Sequence, residues 1–477
     1  MTRAVKALTS LPMNRLTVAA LFAAASSAPL LAQTSTAPLA VDPHVAQLRD
    51  DALANDEYAW DITEGLTTEV GQRMGGTEAE ARARVWAVAK LKSLGFSNVR
   101  VDEFTVPTAL RGTESAEILS PFPQKLVVNA LGGSGVTGPE GVTGEVIGFD
   151  SVDALRLAPD AAVRGKIVFV DHRMAPTQDG SGYGQFGAPR RQGPTIASQK
   201  GATAIVIRSI GTDHNRTPHT GIMEFGAGAK PIPAGALSVP DAEQLERMLK
   251  RGKPVMMRLR LQARRMQGTS GNVIAELPGT DPKAAPVLVG CHLDSWDLGT
   301  GAIDDASGCG IVAAAAKRIM DKGQPERTIR IVWFGSEEIG LFGGLDYQRR
   351  YGKDPHHAIA ESDFGADRIW QVNSRLGAER REEARMLGSA LAPLGIITGS
   401  FESAEGSDIG PMIAAGMPAV GLSQDGTRYF DLHHTSNDTL DKVDPVQLRQ
   451  NVAAWTAMLA VLAGPINPMK PNRRNRR

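Results

Sequence analysis

The stretch Pro286-Val-Leu-Val-Gly-Cys-His-Leu-Asp-Ser-Trp-Asp297 opens as a short apolar run and ends in polar, chemistry-bearing residues. Four or five apolar residues in a row, with no alternation, suit a strand covered on both faces. Such a strand presents His292 at its end. Asp294, two residues on, can point the same way. Outward from this point the chain keeps one rhythm. Ser307–Ile319 reads as helix, Thr328–Phe334 as a second buried strand, Glu379–Leu394 as helix and Pro418–Leu422 as a further strand. Asp444 caps a last helix with Pro445 at its first position, burying Val452, Trp455, Leu459 and Leu462. Strand alternating with helix predicts an α/β fold: a mixed, largely parallel central sheet flanked by helices. Ligand chemistry then belongs at the carboxyl ends of the strands.

Upstream, Val45–Thr68 reads as mostly helical, and Gly71-Gln-Arg-Met-Gly-Gly76 as a turn without chemistry. Thr77 opens a helix, with Glu80 completing a capping box, and the helix stops at Gly95. Val99–Val106 has strand-like alternation. Between residues 117 and 262 the texture changes to short strands, Glu145–Phe149, Lys166–Val170, Ala204–Ile207 and Ala234–Leu237, punctuated by Gly and Pro. The long Gly180–Pro194 loop has few hydrophobics. This region is expected to be an inserted, mainly-β domain. The resulting division is 1–32 leader, 33–116 first part of the main domain, 117–262 insert, 263–465 main domain and 466–477 basic tail.

The 477 residues carry 52 basic and 52 acidic side chains. A balanced surface excludes a global field for nucleic acid or anionic lipid, so small-molecule or peptide substrates fit better. Arg3, Lys6 and Arg15 precede the apolar stretch Leu16–Ala32, which is short for a bilayer span and reads as a cleaved secretory signal. The expectation is an exported protein, periplasmic or secreted, without a stable membrane anchor. Cys291 and Cys309 are the only cysteines; export permits a disulfide, but their positions also suit two buried thiols, which is the expectation taken here.

Five places concentrate acids and imidazoles after strands: His292-Leu-Asp294, Asp304-Asp305, Glu337-Glu338, Glu361-Ser-Asp363 and Asp431-Leu-His433-His434 through Asp438. Each alone reads equally as a cap or a surface loop. Together, on one edge of one sheet, acids at that density repel one another unless cations sit among them. Mixed imidazole and carboxylate donors point to zinc, although Mn²⁺ or Co²⁺ suits the same set. His356-His357, His172, His214 and His219 lie outside this ordered set and read as surface residues.

The ordered set resembles the zinc-dependent exopeptidases of the bacterial leucyl aminopeptidase and glutamate carboxypeptidase type, most of all their carboxypeptidase Q branch. Val163–Val168, Lys200–Ala204 and Ile232–Ser238 look like the protease-associated domain that such enzymes often carry. The resemblance implies a peptide substrate, two Zn²⁺ per chain and a homodimer. It implies that Asp304 bridges the ions through a cis peptide with Asp305, that His292 and Asp363 complete one site, and that Glu338 and His434 complete the other. Glu337 would be the general base and Asp294 the residue that orients His292. Asp408 and Tyr429 stand where substrate contacts lie, for a free amine and an oxyanion, and equally suit structural roles. Ala306-Ser307 and Asp431 depart from the branch's pattern, which bears on substrate preference. Two other readings are a catalytically inactive receptor-like binding protein and a one-zinc glutaminyl cyclase. The complete donor set argues against both.

Overall fold

The computed structural model describes residues 39–468; the leader and most of the basic tail lie outside the described residues. The strands are β1 (Ser97–Ser120), β2 (Gln124–Leu126), β3 (Val128–Ala130), β4 (Val142–Phe149), β5 (Ile167–Val170), β6 (Ala204–Arg208), β7 (Ala234–Leu237), β8 (Met256–Leu277), β9 (Val287–His292), β10 (Ile329–Phe334), β11 (Ala358–Glu361), β12 (Ile369–Arg375), β13 (Ile397–Thr398) and β14 (Ala419–Gln424). Twelve of them hydrogen-bond in the order β13-β12-β14-β11-β9-β10-β8-β4-β5-β6-β7-β3, while β1 pairs with β8 and β2 off this path. β9 pairs in parallel with β10 on one side and β11 on the other, and β14 runs parallel to β11. Every residue of β9 is buried, because helices cover both faces of this part of the sheet.

The chain order places the site. From β9 it goes to β10 on one side, then crosses back to β11 on the other. The carboxyl ends of β9, β10 and β11 therefore share one edge, with a crevice where the strand order reverses. The helix Ser307–Lys322 fills the core beside β9 with small residues, and Trp333 and Trp455 are fully buried around it. Gly310 is required there: a Cβ would come within 2.6 Å of the Ala59 carbonyl oxygen. The last helix, Pro445–Leu462, has the expected cap, Asp444 accepting from the Val446 and Gln447 N–H groups.

Several features differ from the sequence expectations. The strand at Val99–Val106 is only part of β1, which pairs antiparallel with β8 along nearly its whole length. Pro107 and Gly112 interrupt the alternation that a sequence reading follows, yet an edge strand tolerates both. The capping box is incomplete: Thr77 accepts from the Glu80 N–H, but the Glu80 carboxylate takes the Gly76 N–H at 2.7 Å and the Ser270 hydroxyl at 2.6 Å. Cys291 and Cys309 form a disulfide rather than staying thiols. The helix Ser307–Lys322 lies on the face to which Cys291 points, and the 5.1 Å Cα separation is within bridging range.

β4, β5, β6 and β7 run parallel, with β3 antiparallel at the edge, and carry two hydrophobic clusters of their own. β1 and β8 link this half to the half containing β9. Within 181–199, three helices of four to seven residues, Ser181–Phe186, Ala188–Arg191 and Gly193–Gln199, replace most of the expected loop. Their glycines and short length hide the helical period in the sequence.

Candidate metal centre

His292 is the last residue of β9. Its Nε2 lies 3.0 Å from Asp304 Oδ1 and 3.3 Å from Asp363 Oδ1. Its Nδ1 faces Asp294, 3.0 Å from the carbonyl oxygen and 3.7 Å from Oδ1. Asp304 turns its other oxygen the opposite way: Oδ2 is 3.4 Å from His434 Nε2 and 3.7 Å from His433 Nε2. Glu338 Oε2 is 2.6 Å from His434 Nε2. The five residues His292, Asp304, Glu338, Asp363 and His434, one from each of the five stretches, thus meet in one cluster. Asp304 lies at its centre.

The neighbouring acids divide their work. The Asp304–Asp305 peptide is cis. Asp304 faces the cluster, whereas Asp305 accepts from the His292 N–H at 3.1 Å and caps the helix Ser307–Lys322 through the Gly308 N–H at 3.0 Å. Glu338 enters the cluster, whereas Glu337 stands half-buried beside it, its own N–H held by Asp294 Oδ1 at 3.0 Å. Asp294 therefore touches both His292 and Glu337. Asp408 is fully buried behind this layer, with Oδ1 on the Gly344 N–H. Tyr429 packs against Phe364 and His433, with ring centroids 4.4 and 5.2 Å away.

The electrostatics are those of crowded acids. Burial pushes Glu337 and Glu338 well above the usual carboxylate range, and Asp363 and Asp304 respectively add to it. Burial disfavours a charge on His292, yet Asp363, Asp294 and Asp304 hold its pKa well above the usual value. Burial takes His434 the other way, down to about 4. Asp304 Oδ2, both Glu338 oxygens and Asp294 Oδ2 are buried without a hydrogen-bond partner among the described residues. Unpaired buried carboxylate oxygens are costly, and here they converge with imidazoles. His292, Asp304 and Glu338 offer donor atoms within 4.8 Å of one another, as do Asp304, His433 and His434. This donor set fits divalent metal.

Arg73 and Thr220 were not legible beforehand as supporting residues, and Asp438 was legible only as a member of the last acid-rich stretch. Arg73, from the turn read as lacking chemistry, is fully buried. Its guanidinium donates to the carbonyls of Leu293 (2.6 Å), Thr300 (2.6 Å) and Gly301 (2.9 Å), which shapes the loop between His292 and Asp304. Its charge sits among Asp438, Asp294, Asp305 and Asp304. Asp438 accepts from the Ile303 and Asp304 N–H groups at 2.7 and 3.1 Å and so positions Asp304. The Thr220 carbonyl lies 3.2 Å from His434 Nδ1, while the Arg190 guanidinium donates to the same carbonyl at 2.8 Å. A protonated Nδ1 directs Nε2 into the cluster. Tyr183, nearby, stacks on Phe430. Residues well before β9 in the chain therefore hold a histidine of the cluster.

The other histidines are not simply surface residues. His214 is exposed, but His219 is buried 3.4 Å from Asp213, and His172 packs edge-on to Phe186. His356 is buried against the Tyr347 hydroxyl. Lys353-Asp-Pro355 suggests a surface turn, but both histidines that follow it turn inward. His357 Nε2 is 2.9 Å from Glu383, which also takes Arg380 Nε at 2.7 Å. Burial opposes ionisation of Glu383, but hydrogen bonds from His357 and Arg380 outweigh it and lower its pKa from 4.5 to about 2. Because the folded pKa is depressed, this stabilisation is present above pH 4.5 and lost as pH falls towards 2. The side chains are partly exposed and solvent weakens the pairs, so Glu383→Gln is expected to cost roughly 1 kcal/mol at pH 7. Urea unfolding checks it: the wild-type advantage must shrink between pH 5 and pH 3.

Comparison with known proteins follows the same outline. The model of peptidase family M28 matches residues 272–459. Carboxypeptidase Q of Bos taurus is 35% identical over 407 residues, covering 83% of this chain and 84% of its own. The crystal structure of a peptidase M28 precursor from Shewanella amazonensis SB2B is 44% identical with a TM-score of 0.86, covering 90% of this chain and 98% of that one. BSAP, a zinc aminopeptidase from Bacillus subtilis, shares the fold at 19% identity and a TM-score of 0.62, covering 87% of this chain and 96% of its own.

Proposed function

Since the chain belongs to peptidase family M28, we propose that it is an exported di-zinc exopeptidase that cleaves terminal bonds of short peptides in the manner of carboxypeptidase Q. One observation carries the reading: Asp304 turns one carboxylate oxygen to His292 and the other to His434, with Asp363 and Glu338 alongside. His292, Asp363 and Asp304 would hold one zinc, and Glu338, His434 and Asp304 the other. When bound, the ions lower the pKa of water and stabilise charge on the peptide carbonyl. Glu337 takes the proton of the attacking water and returns it to the leaving amine. Asp294 fixes the His292 ring through Nδ1 and the Glu337 backbone through its N–H. The Tyr429 hydroxyl is a candidate donor to the oxyanion, and Asp408 a candidate contact for the free amine.

Residues 117–262 are read as a protease-associated insert between the two parts of the peptidase domain. Export is supported by the Cys291–Cys309 disulfide, a bond of oxidising compartments. Among the described residues no helix is long and apolar enough to cross a membrane.

The test compares an unblocked dipeptide with its N-acetylated form, using zinc-loaded protein and a chelated control. Cleavage of both, lost on chelation, supports a carboxypeptidase. Cleavage of only the unblocked form indicates an aminopeptidase or dipeptidase of the same family. No cleavage of either with zinc bound overturns the peptidase mechanism and favours a binding protein.

A further inference from the structure

The turn Gly71–Gly76, which shapes the loop after β9 through Arg73, also lies against the loop after β10. Gly75 packs on Ser336 so closely that a Cβ there would come within 2.4 Å of the serine hydroxyl oxygen. Ser336 stands between the end of β10 and Glu337, is fully buried and has a φ of 58°. A residue with a side chain keeps that left-handed conformation only where its surroundings hold it. The Ser336 hydroxyl has no hydrogen-bond partner among the described residues, so this side chain is held by contact.

Glu80 fixes that contact. It is fully buried in the first turn of the helix Glu78–Ser93. Its Oε2 takes the Gly76 N–H at 2.7 Å and pairs with Arg84 at 2.8 Å, while its Oε1 takes the Ser270 hydroxyl at 2.6 Å. One carboxylate thus ties the turn, the helix and β8 together. The same head group faces the loop after β10: a Cβ on Gly335 would meet Ser270 Oγ at 2.6 Å and Glu80 Oε1 at 3.1 Å. Asn272, two residues along β8, accepts the Gly335 N–H at 3.1 Å. Gly335-Ser336 is therefore enclosed by Gly75, Glu80, Ser270 and Asn272, none of which belongs to the donor cluster. Burial lifts Glu80 to about 7 against the pull of Arg84, so an uncharged head group suits this position nearly as well as a carboxylate.

We infer that Glu80 is a positioning residue for catalysis: by fixing the Gly75-Gly76 turn against Ser336, it sets the direction in which Glu337 leaves β10. The inference rests on the reading of Glu337 as general base. Glu338 is anchored by its side chain, 2.6 Å from His434. Glu337 is held through its backbone, by Asp294 at the N–H and by the Gly340 and Leu341 N–H groups at the carbonyl. Slack in the turn therefore falls on the base rather than on the metal.

The test reads turnover and amide hydrogen exchange on the same variants. Glu80→Leu keeps most of the volume and removes the polar contacts. It is expected to lower kcat roughly ten- to a hundredfold, as small misplacements of a reacting group do, with KM and zinc content at wild-type values. Exchange within 335–341 is expected to quicken roughly tenfold while β9 is unchanged. Glu80→Gln is expected to restore both, because its amide oxygen accepts from Gly76 and Arg84 and its nitrogen donates to the Ser270 hydroxyl. Ser270→Ala leaves the Arg84 pair intact and is expected to move both readouts the same way by less; it decides the matter if Glu80→Leu does not fold. Wild-type exchange at 335–341 in the folded variants overturns the inference. So does exchange quickened alike in β9 and the helix Ser307–Lys322, or zinc lost together with kcat, since Glu80 is then a general stabiliser. If Glu337→Gln turns over like wild type, the base reading falls, and exchange quickened at 335–341 alone still shows Glu80 bracing this turn.

Discussion

Glu337→Gln leaves the zinc content of the protein unchanged and lowers kcat by roughly 10²–10⁴-fold, the range a positioned general base supplies. Gln preserves the side chain's volume, and the backbone N–H bond to Asp294 Oδ1 at 3.0 Å does not depend on the carboxylate. What the substitution removes is the ability to take a proton. Glu337 stands beside the cluster, whereas Glu338 lies 2.6 Å from His434. The two acids are therefore separable by experiment: loss of the first costs rate, loss of the second costs metal. Elemental analysis and steady-state kinetics on the same preparation check the result. Wild-type turnover would remove Glu337 from the mechanism. Zinc lost together with rate would make it a ligand instead.

The part of the site that the sequence shows is the part that follows buried strands. β9, β10 and β11 are short, mostly apolar and parallel, so the polar residues at and after their carboxyl ends converge by topology alone. That is why the stretches holding His292, Glu337-Glu338 and Asp363 could be placed at one edge of the sheet, while the division of roles within them came from the family resemblance. Asp304 and His434 lie further along the loops that follow strands, and their ligand roles came from the resemblance as well. The sequence does not show which oxygen faces which partner. Asp305 caps a helix while its neighbour faces the imidazoles, a division that adjacent identical residues do not reveal. Arg73 was hidden for a different reason. Its bonds go to carbonyls more than two hundred residues away, and an arginine in a glycine-rich turn gives no periodic signal. Thr220 acts through its carbonyl, a group that every residue possesses. The β1–β8 ribbon was underestimated because its faces are only partly buried along much of its length, which blurs the alternation that reveals strands.

Asp304→Ala should abolish hydrolysis and sharply reduce zinc content, while the fold survives. The carboxylate lies between two imidazoles from distant parts of the chain, 3.0 Å from His292 and 3.4 Å from His434. Its removal thus takes a donor from both halves of the cluster. The helix Ser307–Lys322 keeps its cap because Asp305, not Asp304, holds the Gly308 N–H. Circular dichroism should accordingly be unchanged. Asp438→Asn provides the graded comparison. Asp438 never faces the imidazoles; it holds the Asp304 and Ile303 N–H groups, and an amide oxygen can accept only part of what the carboxylate does. Loss of such a partner typically costs roughly 10–100-fold in metal affinity or activity, so Asp438→Asn should fall between wild type and Asp304→Ala in both zinc affinity and rate. Full zinc content in Asp304→Ala would refute the bridging role. Equal losses in the two variants would mean that Asp304 acts through the shape of its turn rather than through its carboxylate.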